Sequence, residues 1–265
     1  MKSEVMDLSQ NYIYVLLDTT TNQVDTRGIG LNYLWEAMKH PVSNLLVLTG
    51  PTNIGTFDDY TRFEVIRGSK ACDEFIQQQI KAAKYNVKWV DYESQEFLHQ
   101  LTPGEIAELL YLEHMNRHWH SPFFYKLQNN YVCLPGGNNI MRCYYRHISE
   151  FFYQLAHQLR DAVQPYETRR SFFSLSSYTH HQEVSVPSPS VIKALRPLLY
   201  EGVVFDLSEI KIKGKLEIPI YLAEDRVDEV LLQLSKADRL GTLVYSPRQQ
   251  QWQLESAFNS ESFGG

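Results

Sequence analysis

Apolar and polar positions along this chain follow two periods, one of about two residues and one of about 3.6. Residues 11–18 (NYIYVLLD) form a β-branched and aromatic run that ends in the turn-prone TTTNQ, which predicts a strand. Residues 30–38 (GLNYLWEAM) space Leu31, Leu34, Trp35 and Met38 as one helical face. Residues 44–49 (NLLVLT) are continuously apolar, the pattern of a strand buried on both faces in a parallel sheet. A helix is predicted over 69–84, capped by Ser69, with Asp73 and Glu74 early and Lys81 and Lys84 late. Residues 87–92 (VKWVDY) return as a strand. Strand and helix alternate here, which predicts a layered sheet with crossover connections.

A second helix is predicted over 103–119. Thr102 caps it, Pro103 takes its first position and Glu105 completes a capping box. Glu113 and Arg117 are spaced to pair on its surface. A third helix is predicted over 147–163, with Ile148, Phe151, Phe152, Leu155 and Leu159 on one face. Residues 164–190 hold Pro165, Pro187 and Pro189, many serines and little periodicity, the composition of a connection. Beyond it come a short helix (VIKALRPLLY), strands GVVFDL and KLEIPIYL, a helix (RVDEVLLQLSKA) and a hairpin pattern, TLVYS and QWQLES. The expected fold is α/β: a layered mixed sheet with flanking helices, a central antiparallel meander and a smaller C-terminal α+β unit. Residues 1–163 form the first domain, 164–189 the connection and 190–265 the second domain.

Between His114 and Ser149 there is no Asp or Glu, although the chain carries a net charge of −6. Asn129-Asn130 suits a two-residue hairpin turn, and pairing across it sets Lys126 opposite Cys133. Phe123, Tyr125, Leu127, Val132 and Leu134 then share an apolar face. The third strand, 140–146, joins with Met141, Cys143 and Tyr145 on that face, because the other register buries two guanidiniums against Val132 and Leu134. This alignment exposes Lys126, Tyr131, Arg142, Tyr144 and Arg146 together. Arginine forks match phosphate oxygens and tyrosines offer stacking faces, so the surface suits a nucleotide or single-stranded nucleic acid. Cys133 and Cys143 face opposite sides in this register, so no disulfide joins them.

Composition narrows the field. The 265 residues are 43% hydrophobic and 21% charged, as in a globular protein with a core. A net charge of −6 excludes a chain-wide basic field for nucleic acid. No run reaches the roughly 18 apolar residues of a membrane helix, and the first apolar segment is too short for a secretory signal. The three cysteines include no CxxC and fit free thiols in a reducing cytoplasm.

Two further motifs carry chemistry. His114, His118 and His120 form HxxxHxH, where an i,i+4 pair and a third ligand could hold zinc. No acid lies between these histidines to serve as a base, and Arg117 opposes a dication. His180, His181 and Glu183 are distal candidates. Residues 49–56 (TGPTNIGT) have glycines at phosphate-loop spacing but lack the lysine, and acids follow at once. Residues 134–139 (LPGGNN) read as a turn between strands. Three functions follow as expectations. The first is a cytoplasmic binding or regulatory protein for a phosphate-bearing ligand, without cofactor. The second is a zinc-dependent hydrolase on the His cluster. The third is an assembly protein, a homo-oligomer with an aromatic subunit interface.

Overall fold

The computed structural model describes residues 11–49, 52–82, 87–114, 121–136, 140–172, 183–212, 214–225 and 239–256. They fall into two compact units. One comprises Asp18–Asp25 and Gly30–Phe151; the other comprises Met1–Leu17, Thr26–Ile29 and Phe152–Gly265. Helices and antiparallel strands build both, a mixed α/β composition.

In chain order, β1 (Tyr12–Asp18) and β2 (Gln23–Arg27) are followed by α1 (Leu31–Ala37), β3 (Asn44–Val47), β4 (Thr56–Phe57) and β5 (Glu64–Arg67). Next come α2 (Ser69–Ala82), β6 (Trp89–Tyr92), the single turn α3 (Gln95–Leu98) and α4 (Pro103–His114). The hairpin β7 (Tyr131–Pro135) and β8 (Met141–Tyr145) leads into α5 (Ser149–Phe172). The last elements are α6 (Pro189–Glu201), β9 (Val203–Asp206), β10 (Lys211–Ile212), β11 (Leu216–Leu222), β12 (Arg239–Ser246) and β13 (Gln251–Ser256). Among the described residues, helices form where periodicity predicts them. Leu31 and Leu34 of α1 are buried, and Thr102 accepts from the Glu105 N–H while Glu105 accepts from the Thr102 N–H and hydroxyl. α5 runs through Pro165, so the expected connection begins inside a helix.

The strands of the first unit order as β2-β8-β7-β6-β3-β5-β4. β3 pairs antiparallel with β5 on one side and β6 on the other, so the expected parallel arrangement with crossovers does not form there. The apolar run reported burial on both faces, and an antiparallel central strand covered on both faces needs the same run. One face carries Leu46, Val65, Val90, Tyr92, Val132, Leu134 and Tyr144, packed with Leu98, Leu109 and Leu112 of α3 and α4.

The predicted meander is corrected by the structure. Residues 125–128 are turn, and Gln128 has a φ of 54°, so no strand precedes Asn129. β7 instead pairs with β6 and β8. The β7–β8 register sets Val132 opposite Tyr144, Cys133 opposite Cys143 and Leu134 opposite Arg142. This is the register rejected for burying Arg142. It is stable because Asp25, on β2, supplies the carboxylate that the hairpin lacks.

In the other unit β9 lies between β1 and β11, β11 pairs with β12, and β12 with β13, all antiparallel. The QWQLES strand and its hairpin partner therefore form as predicted. Pro219 sits in β11 opposite Thr242 of β12, between the stretch paired with β10 and the stretch paired with β9. Gly202 ends α6 at a φ of 76°, and a Cβ there would lie 2.3 Å from the Glu224 carbonyl oxygen. The helix expected from RVDEVLLQLSKA, Arg117, the glycine at 137 with Asn138 and Asn139, His118, His120, His180 and His181 lie outside the described residues. So does the side chain of His114, the last residue of α4.

Candidate functional site

The five residues expected on one cationic face have different environments. Alternation along the hairpin puts Arg142 and Tyr144 on one face and Tyr131 on the other. Arg142 Nε and Nη2 hold the two Asp25 oxygens at 2.8 and 2.7 Å. Tyr144 is buried in the core and donates to Gln23 at 2.9 Å; burial pushes its hydroxyl up to about 12. Lys126 sits in the turn and donates to Glu105 at 2.7 Å. Arg146 donates through Nε to the Asn129 carbonyl at 2.7 Å and lies 5.0 Å over the Phe123 ring. A single ligand face built from all five is not formed. Among the described residues no group of three or more His, Cys, Asp or Glu side chains could hold a metal. No helix among them is long and apolar enough to cross a membrane.

The loop before β7 is wound on two buried polar side chains. Asn129 accepts from the Phe124 N–H at 2.8 Å and donates to the Pro122 carbonyl at 3.0 Å. Asp91 accepts from the Asn130 and Tyr131 N–H groups at 3.0 and 2.6 Å. Burial raises the Asp91 carboxyl to about 7, although these bonds and the Arg146 charge pull the other way. Both side chains fix backbone, so their work is local.

Two histidine–carboxylate pairs emerge that sequence reading did not find. Glu150, 1% exposed, accepts from Tyr131 and bonds His40 Nδ1 at 2.8 Å. Tyr131 also accepts from the His40 backbone N–H at 3.2 Å, and His147 stacks on His40 at 4.5 Å. The Tyr131 hydroxyl is pushed well up by burial and by the Glu150 carboxylate. His40 is 41% exposed, and its Nδ1 is the ring atom that Glu150 holds. No signal short of the fold joins His40 to Glu150, 110 positions apart.

The second pair is Asp58 and His99. Asp58 Oδ1 bonds His99 Nε2 at 3.0 Å and Arg67 at 3.3 Å, and its Oδ2 accepts from the Thr61 N–H and hydroxyl. Burial pushes the Asp58 carboxyl up, but the bonds from His99 and Thr61 outweigh it and hold it below its ordinary value. His99 lies under the Tyr60 ring, 5.0 Å away, and Tyr60 donates to the Leu101 carbonyl. Leu101 precedes Thr102, which holds the same Glu105 carboxylate that Lys126 binds at 2.7 Å, and Lys126 Nζ lies 5.7 Å from the centre of the Tyr125 ring. The result is a surface where Tyr125 is 71% exposed and Tyr60 46%, bordered by ion pairs of both signs.

In the described part of the 49–56 loop the backbone amides already have a partner. Glu64 reaches in from β5, accepting from the Thr52 N–H and hydroxyl and from the Gly55 N–H at 2.9 Å. A carboxylate of the chain itself therefore occupies the amides a phosphate would use.

No protein-family model, curated protein or solved structure matches this chain.

Proposed function

We propose that this is an interaction protein, and that the Tyr60–Tyr125 surface joins it to a second copy of the same chain. The observation that carries the reading is the exposure of Tyr125, at the Lys126–Glu105 pair, and of Tyr60, bonded to Leu101 just before the Thr102 cap of Glu105. Tyrosines bury large area at low entropy cost and are enriched at the energetic centres of interfaces. A two-fold interface sets a patch against itself, so a patch of one sign would repel its copy. This patch contains Lys126 with Glu105, one charge of each sign, and the two can cross-pair with those of a second copy. A phosphate-bearing ligand would have to displace Asp25 from Arg142 and Glu105 from Lys126, which weighs against that expectation. Light scattering on size-fractionated protein tests the proposal. A concentration-dependent dimer that becomes a monomer in Tyr60→Ser/Tyr125→Ser is the expected result. A monomer at every concentration overturns it.

A second reading rests on Glu150 and His40. A buried carboxylate that fixes one nitrogen of a part-exposed imidazole is the arrangement of a general acid–base pair. Hydrolytic activity lost in His40→Gln but retained in His147→Gln would support it. The zinc-hydrolase reading on His114, His118 and His120 is checked by elemental analysis of metal-free-handled protein, where zinc below roughly one-tenth occupancy rules out a tight site.

A further inference from the structure

The β7–β8 hairpin brings three sulfurs together. Cys133 stands opposite Cys143 in the ladder, and their Sγ atoms are 3.6 Å apart. Met141, two residues before Cys143 on the same face, places its Sδ 3.3 Å from Cys133 Sγ. Cys133 thus touches both other sulfurs. The two thiols are buried and free, while Met141 is only partly buried. We propose that Cys133, Cys143 and Met141 form a binding site for a soft monovalent cation of the copper(I) class, held by two thiolates and one thioether.

Four physical points favour this occupant. Thiolate and thioether are soft donors, and together they select copper(I) over the hard divalent ions. Zinc completes a tetrahedron from thiolate, imidazole or carboxylate, and no such group of three is found among the described residues. At metal–sulfur bonds of about 2.3 Å, three sulfurs in a trigonal plane lie about 4 Å apart, a few tenths of an ångström beyond the two separations seen here. Methionine, unbranched and with three rotatable bonds, can supply that adjustment without moving the ladder. Binding is an acid–base exchange with no redox step: one cation enters and the two thiol protons leave to solvent. The dithiolate complex carries one net negative charge.

Both thiols are buried, which shields them from exchange with dissolved thiols and disulfides. A structural role alone, with Cys143 donating to Cys133 and Cys133 to Met141, would leave the group indifferent to metal.

The test is a copper(I) competition on the full chain, reduced and anaerobic, against the coloured bicinchoninate complex. Wild type and Cys72→Ser should each withdraw one equivalent. Cys133→Ser and Cys143→Ser should withdraw none, and Met141→Leu should bind at least tenfold more weakly. No withdrawal by wild type, or withdrawal unchanged in the two hairpin cysteine variants, overturns the site. Because buried Cys→Ser changes can unfold the hairpin, copper-edge X-ray absorption on loaded wild type is the second measurement. Three sulfur neighbours support the assignment; nitrogen or oxygen neighbours, or only two sulfurs, overturn it.

Discussion

Arg142 and Asp25 form a two-pronged ion pair, Nε to Oδ1 at 2.8 Å and Nη2 to Oδ2 at 2.7 Å, between strands that are far apart in the chain. The pair permits the β7–β8 register, because it satisfies a guanidinium that would otherwise lie against Leu134. Asp25→Ala should therefore cost about 3 kcal/mol in chemical denaturation, more than a surface pair would. Replacing both partners, Asp25→Leu with Arg142→Met, should recover most of the loss. Equal losses in the single and double variants would show that the pair does not set the register.

Asp91 gives the protein a pH signature. Its folded carboxyl holds a proton up to about 7, whereas the unfolded one releases it near 3.8. Between those values the folded state binds more protons, so stability decreases as pH rises through this window and is level above it. At about 1.4 kcal/mol per pH unit, the fall amounts to a few kcal/mol. Asn at 91 can still accept from the Asn130 and Tyr131 amides, so Asp91→Asn should flatten the slope. Denaturation midpoints taken across this range check it, and an unchanged slope would assign the effect elsewhere.

Glu105 acts in the opposite direction. Burial raises its carboxyl, but the bonds from Lys126 and Thr102 together outweigh it and hold it below 4.5, so its contribution is present above that pH and lost as pH falls through the folded value. Removing the cap with Glu105→Ala should cost about 1 kcal/mol. A melting temperature lower by about 2–4 °C at neutral pH, with no difference from wild type in strong acid, is the expected reading.

Gly55 and Glu64 should be coupled. A Cβ at 55 would lie 2.2 Å from Glu64 Oε1, and Glu64 is tied to Thr52 and Gly55. Gly55→Ala should therefore break that anchor and cost about 1–2 kcal/mol. In a Glu64→Ala background the same change should cost much less, and a double-mutant cycle measures the difference.

The sequence by itself determined the elements whose cause is local. The leucine spacing of α1, the Thr102–Glu105 box and the alternation of β13 each arise from a dozen residues or fewer, so neighbours along the chain are enough to read them. The burial of β3 was equally legible, but its direction was not, since an apolar run records how much water is excluded and not which strand excludes it. Only the tertiary structure decided the hairpin register, the burial of Tyr144 and the meeting of Cys133 with Cys143. It also decided the pairing of His40 with Glu150. Each depends on a partner brought from elsewhere: Asp25 is 117 positions from Arg142, and Glu150 is 110 from His40. The cost of burying a charge can be stated from sequence, but whether a counter-charge offsets it is a property of the folded chain.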